Sequence, residues 1–440
     1  MKKKAFYIAF TAAFLLIALT VALGTLVFGP SKAGANEQLT KKPVLIRGDG
    51  SWNGEFLSDA AAWYSDHFFL RQELISLDNL ISAKLFRTSG ADSVILGEGG
   101  WLYYADTLED YSYSDPMTEQ EIYGAAKNLA LMAEYCRENG KEFLFVIAPN
   151  KNSLYPEHMP RWIRWSPESN RELLFEALGD LAVPYADLFD AFLGEDEVLY
   201  FAHDSHWNSK GAALGADVIN GAFGRESSYY RDSFREQNPH AGDLHAMLYP
   251  AFRDRETDPV YSGELSFTYT GSGKSPDSIT LETAGEGSGR LLAYRDSFGN
   301  LLYPYLADSF GEALFSRSTV YDLTGEADFV LIELVERNLE YLLTYVPVMP
   351  SPEREVSARE RLDGTVELTQ TKGKAPEGYT QWKGTLEEVP EGSVYILSGE
   401  TAYEAFLLKD GSFAVNVPEG TEPEAVLYTA GGEPKLLAKQ

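Results

Sequence analysis

Two short stretches carry the residues best able to do chemistry. Phe201-Ala202-His203-Asp204-Ser205-His206-Trp207-Asn208 sets a carboxylate and an imidazole two residues apart. Tyr294-Arg295-Asp296-Ser297-Phe298-Gly299-Asn300 sets a serine directly after an apolar run, Leu291 to Tyr294. That run has the character of a buried strand. Residues 300–310 have the character of a helix, provided Pro304 falls in its first turn. A serine at a strand-to-helix turn projects its hydroxyl from the sheet edge. It also lies at a helix N-terminus, where free N–H groups and the helix dipole favour a developing oxyanion. An Asp-x-His pair can supply a base and the group that orients it. The expected constellation is Ser297 as nucleophile, His206 as base and Asp204 as orienter.

Other uses of the same residues compete. His203 and His206 with Asp204 between them could ligate a metal. No further ligands are evident, and the lone Cys136 sits in a helical pattern, so neither a metal nor a cofactor is expected. Asn208 or Ser209 could simply cap a helix over residues 212–218. Asp296-Ser297 alone says little. The joint occurrence of both stretches, each at a strand-to-helix junction, carries the argument.

Asp204-Ser205-His206-Trp207-Asn208, followed by Arg295-Asp296-Ser297-Phe298-Gly299-Asn300, resembles the alginate O-acetyltransferase (AlgX/AlgJ) family and its Gram-positive relatives, the DHHW family. Three further places match it. Gly97-Glu98-Gly99-Gly100-Trp101-Leu102-Tyr103 is similar to the family's Gly-x-x-Gly-Trp-Leu-Phe element. Pro149-Asn150-Lys151, with Tyr155-Pro156-Glu157 and Met159-Pro160, is similar to its Pro-x-Lys…Tyr-Pro…Leu-Pro run. Glu336-Arg337 is similar to its Glu-Arg element. The resemblance covers roughly residues 52–345. It implies an SGNH-hydrolase-like domain whose Asp-x-His motif precedes the serine, and O-acetylation of an exported polysaccharide. It also implies a polysaccharide acceptor and a membrane-bound O-acyltransferase partner that relays acetyl groups from inside. Where many members have Gly before Asp-Ser, this chain has Arg295, a departure at the turn that shapes the oxyanion site.

Composition narrows the partners. Against 37 Lys+Arg stand 66 Asp+Glu, a formal charge of −29, which repels nucleic acid and suits a neutral or cationic polymer better than a polyanion. One cysteine allows no intramolecular disulfide, and Cys136 has the setting of a core thiol. An apolar fraction of 44% is ample for a large core.

The elements that must position these groups can be followed along the chain. After Met1-Lys2-Lys3-Lys4, residues 5–29 carry no charge, long enough to span a bilayer. The lysines favour a cytoplasmic N-terminus, so the expectation is a single-pass signal anchor in the cell membrane with the bulk of the chain extracytoplasmic. Ala33-Gly34-Ala35 resembles a cleavage site, but the apolar run exceeds a usual signal core. Residues 31–54 have the character of a tether and 55–87 of a helical stretch, in which Asp66-His67 is a packing element. A hairpin is expected around residues 94–104. Thr118-x-x-Glu121 should open a helix that Gly140 stops. Residues 143–148 form a continuous apolar strand ending at Pro149-Asn150-Lys151. Ligands gather at the carboxyl ends of such strands, so Lys151 and Asn150 join Asn300 and Arg295 as substrate or oxyanion candidates. Residues 225–286 have the character of an insertion that walls the site. Strands are expected over residues 313–320 and 329–334, and Glu336-Arg337 should form an internal ion pair.

The expected fold is α/β: an SGNH-hydrolase-like, mostly parallel sheet flanked by helices over residues 55–348. A linker over 349–364 and a small antiparallel β module over 365–440 follow. In that module Tyr379 or Trp382 could meet carbohydrate. An acetylesterase of the same fold, or a non-catalytic polysaccharide-binding protein, competes with the transferase.

Overall fold

A computed structural model describes residues 2–34, 37–356 and 362–440. Ala35 of the cleavage-like triplet and residues 357–361 of the expected linker lie outside the described residues.

Lys2–Phe28 is one continuous helix. Its Lys3–Phe28 stretch has a mean hydropathy of 2.4 in its most apolar 18-residue window, which is unburied, so it is long and apolar enough to cross a membrane. Its far end meets the corner between helices Phe56–His67 and Arg71–Ile81. There the Phe69 N–H donates to Thr25 Oγ1 at 2.8 Å, and the Phe28 and Phe69 rings stack at 5.1 Å. His67 stacks on Trp63 at 4.7 Å, a packing role.

The α/β part is built on a seven-stranded sheet. Its order is Tyr185–Asp187, Glu142–Ala148, Phe329–Val335, Arg290–Tyr294, Glu312–Ser316, Thr280–Gly285 and Phe267–Tyr269. The first five are parallel to one another. Thr280–Gly285 pairs antiparallel with Glu312–Ser316, and Phe267–Tyr269 pairs antiparallel with Thr280–Gly285. The three central strands are apolar runs because helices cover both faces. On one face, helices Leu188–Leu193, Ser209–Ala222 and Gly299–Ser309 pack around Leu199, Trp207, Phe298 and Leu302. On the other, helices Glu119–Glu138 and Asn170–Asp180 pack on Phe145, Ile332 and Tyr294. Thr118 and Glu121 form the expected capping box, and Gly140 at φ +70° ends that helix in the left-handed region only glycine adopts freely.

Cys136 lies wholly buried in the Glu119–Glu138 helix, and burial pushes its thiol up to about 12. The folded chain is expected to leave Cys136 unlabelled by a thiol-disulfide reagent at pH 8, with stoichiometric reaction only in denaturant. Rapid labelling of the native chain would contradict this packing.

Three expectations are corrected. The region 225–286 is not one insertion. Strands Phe234–His240 and Glu256–Tyr261 form a separate antiparallel pair around helix Asp243–Leu248, whereas Thr280–Gly285 and Phe267–Tyr269 complete the main sheet. Thr280–Gly285 alternates exposed and buried side chains, so it shows no continuous apolar run. Pro304 lies in the second turn of helix Gly299–Ser309 rather than its first, where it lacks the N–H that would meet the Asn300 carbonyl.

The described part of 349–364 is not a loose linker. Ser351 is buried, and Glu353–Arg354 pairs with Thr401–Glu404. Arg354 also reaches Glu134 at 2.5 Å and Glu404 at 2.8 Å. The C-terminal strands form a six-stranded and a four-stranded sheet, nearly all antiparallel. They share core with the α/β part through Phe406 and Ala414. Trp382 belongs to the core of this region, 8% exposed with Lys439 Nζ 4.0 Å from its ring centroid, so it offers no open face for a sugar.

Candidate active site

The sheet brings both chemical stretches to the carboxyl ends of its central strands. Strand Arg290–Tyr294 delivers Arg295, Asp296 and Ser297 into the turn before helix Gly299–Ser309. Asp296 fixes that turn. Its Oδ1 accepts from the Phe298 N–H at 2.9 Å, and its Oδ2 accepts from the Val335 N–H at 2.8 Å and Asn338 Nδ2 at 2.9 Å. The facing loop, residues 201–208, ends in helix Ser209–Ala222, whose N-cap is Asn208: its side chain accepts from the Lys210 and Gly211 N–H groups. Trp207, fully buried, donates through Nε1 to the Phe298 carbonyl at 3.1 Å and so ties the loop to the serine turn.

Ser297, His206 and Asp204 converge. Ser297 Oγ lies 2.8 Å from His206 Nε2, and His206 Nδ1 lies 2.7 Å from Asp204 Oδ1. Asp204 is buried, which by itself would raise its pKa. Hydrogen bonds from His206, His240 and the Asp243 N–H outweigh burial and hold the carboxyl well below the usual carboxylate range. Burial acts against charging His206, yet the hydrogen bond and charge of Asp204, with Asp243 nearby, raise it above its ordinary value. An imidazole held in this way keeps one tautomer, with Nε2 toward the serine.

Two further partners of Asp204 come from the strand pair and the helix between its strands, which sequence pattern alone did not mark. His240 Nε2 lies 3.1 Å from Asp204 Oδ2, and its ring lies flat on Phe201, with centroids 3.7 Å apart. Asp243 donates its N–H to the same Oδ2 at 3.0 Å and accepts from Ser205 Oγ at 2.6 Å. The only sequence sign of them was Gly242-Asp243-Leu244 within an aperiodic region. Gly242 is required by close approach: a Cβ there would stand 2.4 Å from the His203 carbonyl oxygen. Gly242→Ala is expected to cost about 1–3 kcal/mol, seen as a lowered melting midpoint, because the loop must shift. An unchanged midpoint would show that the approach is looser.

The remaining candidates fall elsewhere. Lys151 is buried beneath the loop, donating to the carbonyls of Phe201 and Ala202 at 3.1 Å and of Asp204 at 2.6 Å. Burial brings its pKa down to about 7, partly offset by Asp204 and Asp243. Asn150 is also buried, donating its N–H to Glu336 and its amide to Asp110. Lys151 therefore supports the loop from below, and Asn150 is taken up by Glu336 and Asp110. Asn300 Oδ1 accepts from Arg295 Nη1 at 2.6 Å, and its Nδ2 donates to Asp277. Arg295 is buried, with Nη1 donating to the Asp296 carbonyl at 3.2 Å and Nη2 to the Pro276 carbonyl at 2.7 Å, so its guanidinium braces the turn. The expected ion pair within Glu336-Arg337 is corrected as well. Glu336 faces Arg171 at 3.8 Å, while Arg337 stands over the Phe298 and Tyr104 rings beside the site.

His203 and His206 do not converge on one point. Both His206 ring nitrogens are engaged by Asp204 and Ser297, whereas His203 Nδ1 meets Asp254 at 2.9 Å and Glu256 at 3.9 Å. His203, Asp254 and Glu256 place three ligand atoms within 4.8 Å of one another, a set that could receive a cation. Glu256 already accepts both the Ala202 N–H at 2.5 Å and the His203 N–H at 2.9 Å, so holding the loop accounts for it.

Residues 94–272 match the family described as SGNH hydrolase-like domain, acetyltransferase AlgX. The chain is 26% identical over 245 residues to a protein described as "Probable alginate O-acetylase AlgJ" from Pseudomonas syringae pv. tomato, covering 53% of this chain and 59% of that one. It is 25% identical over 211 residues to the same-named protein of Pseudomonas fluorescens, covering 44% and 51%. The chain thus spans between half and three-fifths of the length of these relatives. Among solved structures, Bacillus cereus PatB1 with a sulfonyl adduct aligns at a TM-score of 0.45 and 18% identity, covering 57% of this chain and 96% of that one. With its Asp-x-His loop before the serine and its five parallel strands, the chain has a mixed α/β fold and is similar, over residues 94–272, to the SGNH hydrolase-like domain of acetyltransferase AlgX.

Proposed function

We propose that this chain is a membrane-anchored O-acetyltransferase that acts outside the cytoplasm on a polysaccharide, using Ser297, His206 and Asp204. The observation that carries the reading is the unbroken relay Ser297 Oγ–His206 Nε2 at 2.8 Å and His206 Nδ1–Asp204 Oδ1 at 2.7 Å. In it, Ser297 Oγ attacks the carbonyl carbon of an acetyl donor as His206 Nε2 takes the hydroxyl proton. The C–O bond to the donor then breaks, and His206 returns the proton to the leaving group. The Ser297 N–H, at the strand-to-helix turn, supports the oxyanion. A sugar hydroxyl, deprotonated by the same nitrogen, takes the acetyl group from the serine. A membrane-bound O-acyltransferase fits as donor, and the Lys2–Phe28 helix fits a single-pass anchor.

An esterase shares every step but the last, where water replaces the sugar hydroxyl. The test is acetyl release from a chromogenic acetate ester by the full chain in detergent, with and without an added polysaccharide. Faster turnover and acetylated polymer identify a transferase. Release to water alone identifies an esterase, and no serine-dependent release points to a binding protein.

His240 enters as a positioning residue. His240→Gln is expected to lower kcat/KM up to about 10²-fold while leaving Ser297 labelled by a sulfonyl fluoride, because the orienting carboxylate loses one of its anchors. A kcat/KM equal to the parent's would assign His240 to packing alone.

A further inference from the structure

Two motifs single out residues that the relay does not use: the glycine-rich turn Gly97–Trp101 and the segment ending at Pro160. The structure sets them against each other. A Cβ on Gly97 would stand 2.7 Å from the His158 carbonyl oxygen, and the Trp101 ring lies on the His158 imidazole at 4.2 Å. Both segments help to line a groove of about 990 Å³. Trp162 stands on one wall and Tyr249 of the 225–286 region on another, and His203 of the catalytic loop also lines it.

Resting on the acyl-transfer reading, we propose that this groove holds a stretch of neutral glycan as the acceptor. Four observations converge on that occupant. The volume far exceeds what an acetyl group needs and suits several linked sugar rings. Trp162 is 81% exposed, an indole held open at the rim where burial would be favourable, and its ring face can take the C–H face of a pyranose. His203 offers a placed polar group: Asp254 accepts from its Nδ1, which leaves Nε2 to meet a sugar hydroxyl. His203 also stands three residues before His206, so their Cα atoms are at most about 11 Å apart. The glycan is neutral because the groove's fixed charges nearly cancel: of its two arginines, Arg161 is paired with Glu98 at 3.2 Å and Arg87 stands alone, too little to hold a polyanion on a chain with a net charge of −29.

The test is calorimetric titration of the full chain in detergent with chitohexaose, cellohexaose and an alginate hexamer. Saturable binding of a neutral hexaose is expected, with Kd raised at least tenfold in Trp162→Ala, several-fold in His203→Gln, and unchanged in Ser297→Ala. The alginate hexamer should bind more weakly. No binding of either neutral hexaose, equal affinity in Trp162→Ala, or preference for the alginate hexamer would overturn the assignment. The two readings fail separately: a chain that binds chitohexaose but shows no serine-dependent acetyl release loses only the acyl-transfer reading. A chain that releases acetyl but binds no neutral hexaose loses only the groove.

Discussion

Ser297→Ala is expected to lower acetyl release from a chromogenic ester about 10⁴-fold or more, and His206→Ala by a similar factor. The double variant should lose little beyond either, because nucleophile and base act as one unit. Additive losses would argue that the two side chains, though 2.8 Å apart, work separately. The same geometry sets the pH profile. On the proposed acyl-transfer reading neutral His206 is the working form, so kcat/KM should rise with pH through its pKa, which Asp204 raises above the ordinary histidine value. The linked stability runs in opposite directions for the two partners. Because the folded His206 pKa is raised, its stabilisation is fully present below the unfolded value near 6.5 and is lost as pH rises through the folded value. Because the folded Asp204 pKa is depressed, its stabilisation is present above the unfolded value near 3.8 and is lost as pH falls through the folded one. Asp204→Asn should remove the alkaline loss that His206 contributes, which a series of melts across pH 6 to 9 would read.

Asn128→Ala is expected to be the most damaging change far from the site. Asn128 is wholly buried in helix Glu119–Glu138. Its Nδ2 donates to the Leu342 carbonyl at 3.0 Å and the Leu407 carbonyl at 2.7 Å, and its Oδ1 accepts from the Leu407 N–H at 2.9 Å. Removing it leaves three buried backbone groups unpaired at the seam between the α/β part and the C-terminal sheets. At roughly 1–3 kcal/mol for each, less any rescue by water, the loss should reach about 3–5 kcal/mol. For a cooperative unit of about 400 residues that corresponds to a fall of about 4–6 °C in the melting midpoint. A split calorimetric transition would show the two parts parting at the seam, and a fall of under about 2 °C would mean that the seam is held mainly by its apolar contacts.

The sequence pattern was most legible where burial is two-sided. Residues 143–148 and 329–334 announce themselves as central strands because both faces must be apolar. The Asp-x-His loop and the serine turn were legible because their residue types suit one reaction and each lies beside such a strand. Neither Lys151 nor Asn150 could be placed from pattern: a polar residue at a strand's carboxyl end can line a pocket or brace a loop, and only the partners decide. His240 was invisible for a different reason. It lies 34 residues beyond His206, in a strand whose partner is equally polar, and neither the period of one nor that of the other shows that they pair. Thr280–Gly285 was hidden by its place at the sheet's antiparallel edge, where one face is wet.

The pairing of Phe234–His240 with Glu256–Tyr261 has a consequence for how the molecule would fail. The Asp204 carboxylate is anchored by His240 and Asp243, both outside the central sheet, whereas Ser297 and His206 stand next to Phe298 and Trp207 of the buried core. A cooperative unit that opens by itself can therefore silence the chemistry while most of the molecule stays folded. On gentle heating, activity should fade ahead of bulk melting. Amide exchange should be fastest along residues 234–261, and a single protease nick there should inactivate a chain that still gives a native circular dichroism spectrum.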